Sequence, residues 1–286
     1  MSGAEQLFWC ADNLFNVRQY PDHVVSGSTE ATGYEAFHVG TNRREAADAW
    51  KPTSANISGY VTVTCLVTRG MNFVAIDRES NHAGKTFALR GSSDGFTTYQ
   101  TIVSLTVASV PGGSLSGAYG AITSEGAWLK TVTAVGGFDA YRLWSEAMGS
   151  GVTQRLTGVW VGTAWQPSGR VVTYPMDDET YDVRYEVTES PSAWAGMGRV
   201  AAPRIGTIRL MPNNENDAAM IRWQVLGLYA RLGQPAWVCW QKSNAPWRSM
   251  LVRCPPGAMR YALDASWPLD RMLEIPYIEV QPKANV

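Results

Sequence analysis

Gly91-Ser92-Ser93-Asp94-Gly95 matches the G-x-S-x-G spacing of a serine nucleophile elbow. That chemistry needs a strand before the serine and a helix after it, within a parallel α/β sheet. Here β-type sequence follows (Phe96, Tyr99, Ile102, Val103, Leu105, Val107), and no α/β alternation occurs anywhere. An Asp-Gly hairpin turn fits the pentapeptide better. The histidines are His23, His38 and His82, and none has the spacing of a helical metal pair. His82 lies in the polar loop Ser80–Gly84, where it reads either as a contact residue or as a solvated side chain. Asp177-Asp178-Glu179 with Asp182 could offer oxygen ligands to calcium, but without the spacing of a known loop. A solvated acidic loop is the simpler reading. No glycine-rich loop precedes a helix, so nothing cradles phosphate. Two convergent acids for glycoside hydrolysis are not identifiable. These residues predict no catalytic site, no metal and no cofactor.

The elements that must position such residues are mostly strands. Phe73–Ile76 and Thr86–Leu89 flank one polar loop, and Gly91–Gly95 forms another. Val61, Val63, Cys65 and Val67 alternate with Thr62, Thr64 and Leu66, as a half-buried strand does. Strands are expected at 60–68, 71–77, 86–91, 97–107, 127–135, 141–146 and 156–162, with turns at Gly112-Gly113 and Gly136-Gly137. From Trp165 to Arg204 prolines and glycines interrupt the chain, and only 181–188 reads as a strand. A long irregular stretch of this kind is a linker or a functional arm.

One helix is predicted, about 214–232. Asn213, Asn214 or Asn216 would cap it, and Glu215 and Asp217 fall in its first turn. Ile221, Val225, Leu228 and Leu232 make its apolar stripe, with Arg222, Gln224 and Arg231 outward. Gly233 and Pro235 stop it. Strands follow at 236–240, 249–254, 259–264 and 273–280. The expected organisation is a β unit at 1–165, an arm at 166–204, and a smaller β unit with one packed helix at 205–286.

The chain has 286 residues, 45% hydrophobic and only 17% charged, with net charge −1. No electrostatic footprint for nucleic acid or an anionic membrane follows from that balance. A charge-poor surface suits burial against partners. Twelve tryptophans are present, eight of them after residue 150, and such residues serve either cores or interfaces. Trp194, Trp247 and Trp267 are candidate interface residues. Cys65 reads as an inert core thiol, while Cys239 and Cys254 could face one another on adjacent strands. Met1–Cys10 has neither a basic nor an apolar leader segment, so no secretory signal is expected. No apolar run reaches the ~20 residues that cross a bilayer.

Five segments in order carry a resemblance: Arg43–Pro52 with its tryptophan, Gly70–Asp77, Arg90–Gly95 with an S-x-D-G turn, Tyr141-Arg142-Leu143, and Val159–Gly162. Together, over about residues 10–165, they resemble the discoidin or galactose-binding-like jelly roll, without the disulfide that often ties that domain's ends. The resemblance implies a non-enzymatic sandwich whose loops bind sugars, lipids or proteins, sometimes with structural calcium. It makes Asn81, His82, Arg90 and Asp94 candidate ligand contacts. The stretch Arg204–Gln241 resembles, in pattern, tail proteins of long-tailed bacteriophages.

The expectation is a mainly β, non-enzymatic virion protein of the tail tip or baseplate, of distal-tail type. It would be made in the bacterial host cytoplasm and assemble as a trimeric or hexameric ring with itself and other tail proteins. The alternative is a carbohydrate-binding module or adhesin for host surface glycans. A third reading is a glycan hydrolase with unidentified acids.

Overall fold

A computed structural model describes residues 6–41, 49–77, 84–106, 112–113, 115, 120–123, 127–168, 170–173, 180–181, 203–241, 249–255 and 273–280. The strands are β1 (Gln6–Cys10), β2 (Val24–Gly27), β3 (Gly59–Ile76), β4 (Thr86–Ser92), β5 (Gln100–Thr106), β6 (Gly112–Gly113), β7 (Ala121–Ile122), β8 (Trp128–Ser145), β9 (Val159–Gly162), β10 (Arg170–Thr173), β11 (Thr180–Tyr181), β12 (Arg204–Met211), β13 (Ala236–Gln241), β14 (Met250–Arg253) and β15 (Leu273–Glu279). Among the described residues there is one long helix, α1, which covers Glu215–Met220 and continues through Ile221–Arg231, and one short 3₁₀ helix at Ala36–Gly40. The protein is mainly β, as expected. The chain forms two compact units, one of Met1–Gln166, Ala236–Met250 and Pro282–Val286, the other of Pro167–Pro235 and Leu251–Gln281.

The first unit is an antiparallel jelly-roll sandwich built on two long bent strands. The first half of β3 pairs with β2 and with the second half of β8, which pairs in turn with β4, and β4 with β5. The second half of β3 pairs with β9 and with the first half of β8, beside β7 and β6. Each long strand therefore serves both sheets. The β3–β8 register shifts between Thr64, Arg69, Met71 and Phe73, and the bend lies there. Sequence reading cuts each of these strands into two, and the structure corrects both. Gly137, read as a turn, lies inside β8. A Cβ there would come 2.5 Å from the Thr68 side chain, so the residue permits close strand approach.

One core joins the two halves. Val61, Val63, Leu89, Tyr141 and Leu143 from one sheet meet Met71, Val74, Ile76, Trp128, Val159 and Val161 from the other. Cys65 belongs to this core, and burial pushes its thiol up to about 11. None of the four cysteines is in a disulfide, Cys239 and Cys254 included.

The segment before β2 clamps β9. Asn13 Nδ2 donates to the Val159 carbonyl (3.1 Å), and the Asp12 carboxylate accepts from Thr163 N–H (2.8 Å) and Tyr20 O–H (2.6 Å). Burial raises the Asp12 carboxyl above the usual range, while these donors oppose the shift. β1 pairs with β13 (Trp9 opposite Val238), a pairing between distant parts of the chain.

In the second unit β12 pairs with β15, β10 and β11, and β14 pairs with β15. Arg204 and Glu279 form a two-armed ion pair (3.0 and 2.7 Å) with little exposure. α1 is capped by Asn214, whose Oδ1 accepts from Asp217 N–H at 2.8 Å. Asp217 is buried and accepts from Ser168 N–H and Oγ (3.1 and 2.7 Å) and from Asn213 N–H (3.0 Å). Asn214→Ala is expected to destabilise this unit by about 1 kcal/mol, read from a urea melt.

The expected helical stripe needs correction. From Ile221 the helix winds wider, and Leu232 N–H donates to the Gly227 carbonyl five residues back (3.2 Å). More residues per turn rotate the buried face. Gln224, expected outward, is fully buried, and Leu232, expected in the stripe, is 54% exposed. Tyr229 is buried instead and donates its hydroxyl to the Pro276 carbonyl (2.9 Å). No described helix is long and apolar enough to cross a membrane.

Candidate functional site

The two sheets of the sandwich differ on their outer faces. On the β9 side the outward residues Phe73, Ala75, Leu129 and Trp160 are all buried. On the β2 side the outward residues are Tyr60, Thr62 and Thr64 of β3, Arg142 and Trp144 of β8, and Arg90 of β4. Period-two alternation puts them there, because Val61, Val63, Tyr141, Leu143 and Leu89 point to the core. Cross-strand register aligns Ser26, Thr62, Arg142, Arg90 and Thr101 in one row. Tyr60 and Trp144 stand opposite each other in the next.

Aromatic rings organise the two arginines. The Arg142 guanidinium carbon lies 4.0 Å from the Tyr60 ring centre and 3.8 Å from that of Phe96. Its Nε donates to Thr62 Oγ1 at 3.0 Å. Arg90 lies 4.5 Å over Tyr99 and 5.2 Å over Trp144. Contacts of this kind hold a cation at a fixed place and plane. Burial lowers the Arg142 pKa from its ordinary value, and the charge of Arg90 lowers it further.

The turn after β4 places Phe96. Gly95 and Phe96 both lie in the left-handed region, with φ of +70° and +68°. An aromatic residue there is strained and needs its surroundings to impose the geometry. Ser92 supplies it: its Oγ accepts from Phe96 N–H (2.9 Å) and Asp94 N–H (3.2 Å) and donates to Asp94 Oδ1 (2.8 Å). Asp94 in turn accepts from Thr98 Oγ1 (2.6 Å) and Thr98 N–H (2.9 Å). The Thr98 hydroxyl, then its N–H, hold the Asp94 carboxyl below the usual carboxylate range. The G-x-S-x-G match is thus a braced turn, with Ser92 as the brace.

A cleft of about 320 Å³ opens on this face, lined by Ser26, Gly27, Tyr60, Thr62, Thr64, Ser93, Gly95, Phe96, Asp139, Ala140 and Arg142. It combines aromatic faces, hydroxyls, one carboxylate and one guanidinium, with a volume at the small end for ligand sites. The Asp139 carboxylate accepts from Thr68 Oγ1 at 2.6 Å.

Of the residues picked from sequence, Arg90 stands on the strand face beside this cleft, and Asp94 spends its carboxylate inside its own turn. Asn81, His82, Trp194, Trp247, Trp267 and the acidic run at 177–179 lie outside the described residues. Tyr60, Phe96 and Arg142 were missed as site residues. The signal was present: Tyr60, Thr62 and Thr64 are the complement of the Val61, Val63, Cys65 alternation. Among the described residues no group of three or more His, Cys, Asp or Glu could hold a metal ion.

No protein-family model matches the chain, and no curated protein matches it in sequence. Among solved structures the chain is similar to a GH29 fucosidase of Ruminococcus gnavus in complex with fucose, at 10% identity and TM-score 0.41, over 54% of this chain and 27% of that one. It is similar to chitosan-binding module 1 of a Paenibacillus chitosanase/glucanase, at 16% identity and TM-score 0.39, over 52% and 98%. A third is CpGH89CBM32-5 of Clostridium perfringens in complex with GalNAc-β-1,3-galactose, at 12% identity and TM-score 0.36, over 50% and 96%. The chain thus spans about a quarter of the fucosidase's length.

Proposed function

We propose that this protein binds carbohydrate, without turnover, in the cleft on the outer face of the β2–β3–β8–β4 sheet. The observation that carries the reading is the stack Tyr60–Arg142–Phe96, set among the hydroxyls of Ser26, Thr62, Thr64 and Ser93 in an open cleft. A sugar ring presents C–H groups on its faces and hydroxyls around its edge. Aromatic rings take the former and short polar side chains the latter. Asp139 is the single carboxylate among the residues lining the cleft, whereas glycoside hydrolysis ordinarily employs two. That supports binding over catalysis.

The test is a glycan array with the whole chain, followed by Tyr60→Ala on any hit. Tyr60 is on the solvent side of β3, so its truncation leaves the core intact. The expected result is a saturable hit that Tyr60→Ala weakens by about tenfold or more, with the thermal melt nearly unchanged. An array without hits, or a hit indifferent to Tyr60→Ala, would overturn the proposal.

A further inference from the structure

Two positive side chains stand directly opposite each other on this face. Arg90 of β4 and Arg142 of β8 are register partners. Like charges at opposed positions of neighbouring strands destabilise a sheet. No described carboxylate neutralises the pair: none forms an ion pair with either arginine, and the buried Nε of Arg90 has no hydrogen-bond partner among the described residues. Asp94, close in sequence, turns its carboxylate into its own turn. Four aromatic rings, two on each guanidinium, hold the charges where they are. Of the five N–H donors on Arg142, the Nε–H alone has an acceptor among the described residues, Thr62 Oγ1, which leaves the outer edge of the guanidinium for a ligand.

We propose that the glycan bound on this face is anionic, and that its carboxylate or sulfate group is held at the Arg90–Arg142 pair. The inference rests on the carbohydrate reading above and sharpens it to a substrate class. An oxyanion between the two guanidinia removes their mutual repulsion and accepts charge-assisted hydrogen bonds in a planar fork geometry. The sugar ring then extends from that group into the cleft beside Tyr60 and Phe96.

The experiment compares each acidic oligosaccharide with its neutral counterpart. An array with uronate-containing, sialylated, sulfated and neutral glycans, at physiological salt, shows whether carboxylate or sulfate is preferred. Titration calorimetry then measures the best hit against its carboxyl-reduced or desulfated form, using the wild type, Arg142→Gln, Arg90→Gln and Tyr60→Ala. The expected result is a preference of about tenfold or more for the acidic form that either arginine variant largely erases. Should Arg142→Gln fail to fold, Arg90→Gln carries the test alone, because that side chain is outside the cleft lining. Equal affinity for acidic and neutral forms, or a preference that survives both substitutions, overturns the inference. If Tyr60→Ala still weakens that binding by about tenfold or more, the carbohydrate reading stands. Absence of binding to every glycan overturns both.

Discussion

Replacing Trp50 by alanine is expected to cost the first unit about 3–5 kcal/mol. Trp50 is fully buried, and its Nε1 donates to the Thr29 carbonyl at 3.0 Å. Its backbone exchanges two hydrogen bonds with Leu156, at 2.9 and 3.1 Å, so the residue also ties two connecting segments together. The indole lies between two glycines. A Cβ at Gly27 would come 2.3 Å from Nε1, and one at Gly59 would come 2.6 Å from the far edge of the ring. Those glycines begin and end paired strands, whose backbones cannot move inward to fill the hole. The cavity therefore stays open, which places the cost toward the upper end for large-to-small changes. Chemical denaturation of wild type and Trp50→Ala measures it, and the melting temperature is expected to fall by about 10 °C. A loss below about 1 kcal/mol would mean that β2 and β3 collapse onto the vacated space.

Much of the sandwich was legible because its strands alternate cleanly. Val61, Val63 and Cys65 point inward as their spacing demands, and the Asp-Gly turn lies where the dipeptide predicts. What escaped depends on partners far away in sequence. β1 has no identity without β13, because its pairing joins the two ends of the unit. The long strands read as broken at Arg69-Gly70 and at Gly136-Gly137, yet both pairs lie inside β3 and β8 near the register shifts, and Val67, expected on the apolar face, is exposed there. The helix was legible in place and cap but not in face, since its periodicity was counted at 3.6 residues per turn. The stretch Arg204–Gln241 that carried the tail-protein resemblance folds as β12, α1 and β13, the first of which the sequence reading did not mark as a strand. The candidate site was half legible. Arg90 reads from sequence as a loop residue, whereas it stands on β4 opposite Arg142, a placement that only the β4–β8 register reveals. Sequence alone sees Phe96 only as the first apolar residue after the polar loop, just ahead of the strand expected at 97–107. Its backbone φ of +68° places it within the turn, with its ring held against Arg142 on the sheet.

That position makes Phe96 a place where stability and binding are expected to part. Two substitutions separate the terms. Phe96→Ala removes the ring but keeps a Cβ at positive φ, so the backbone strain stays while the cover over Arg142 is lost. Phe96→Gly removes both the ring and the strain, since glycine occupies the left-handed region freely. The glycine variant is therefore expected to be more stable than the alanine variant by about 1 kcal/mol. Binding should not follow that order. Both variants lack the ring that packs on Arg142 and that the proposed mode of binding places beside the sugar, so both should lose about 2 kcal/mol of affinity, roughly 30-fold. Paired urea melts and calorimetric titrations with the best glycan read the two quantities independently. Equal stability of the two variants would mean that the turn relaxes once the ring is gone, and that Ser92 and Asp94 do not impose the geometry. A glycine variant that binds as well as wild type would move the ligand away from Phe96 altogether. If the order is found as argued, the Ser92–Asp94–Thr98 hydrogen bonds maintain the strain at Phe96 and so hold the ring over Arg142, at a cost to the fold that the proposed binding offsets.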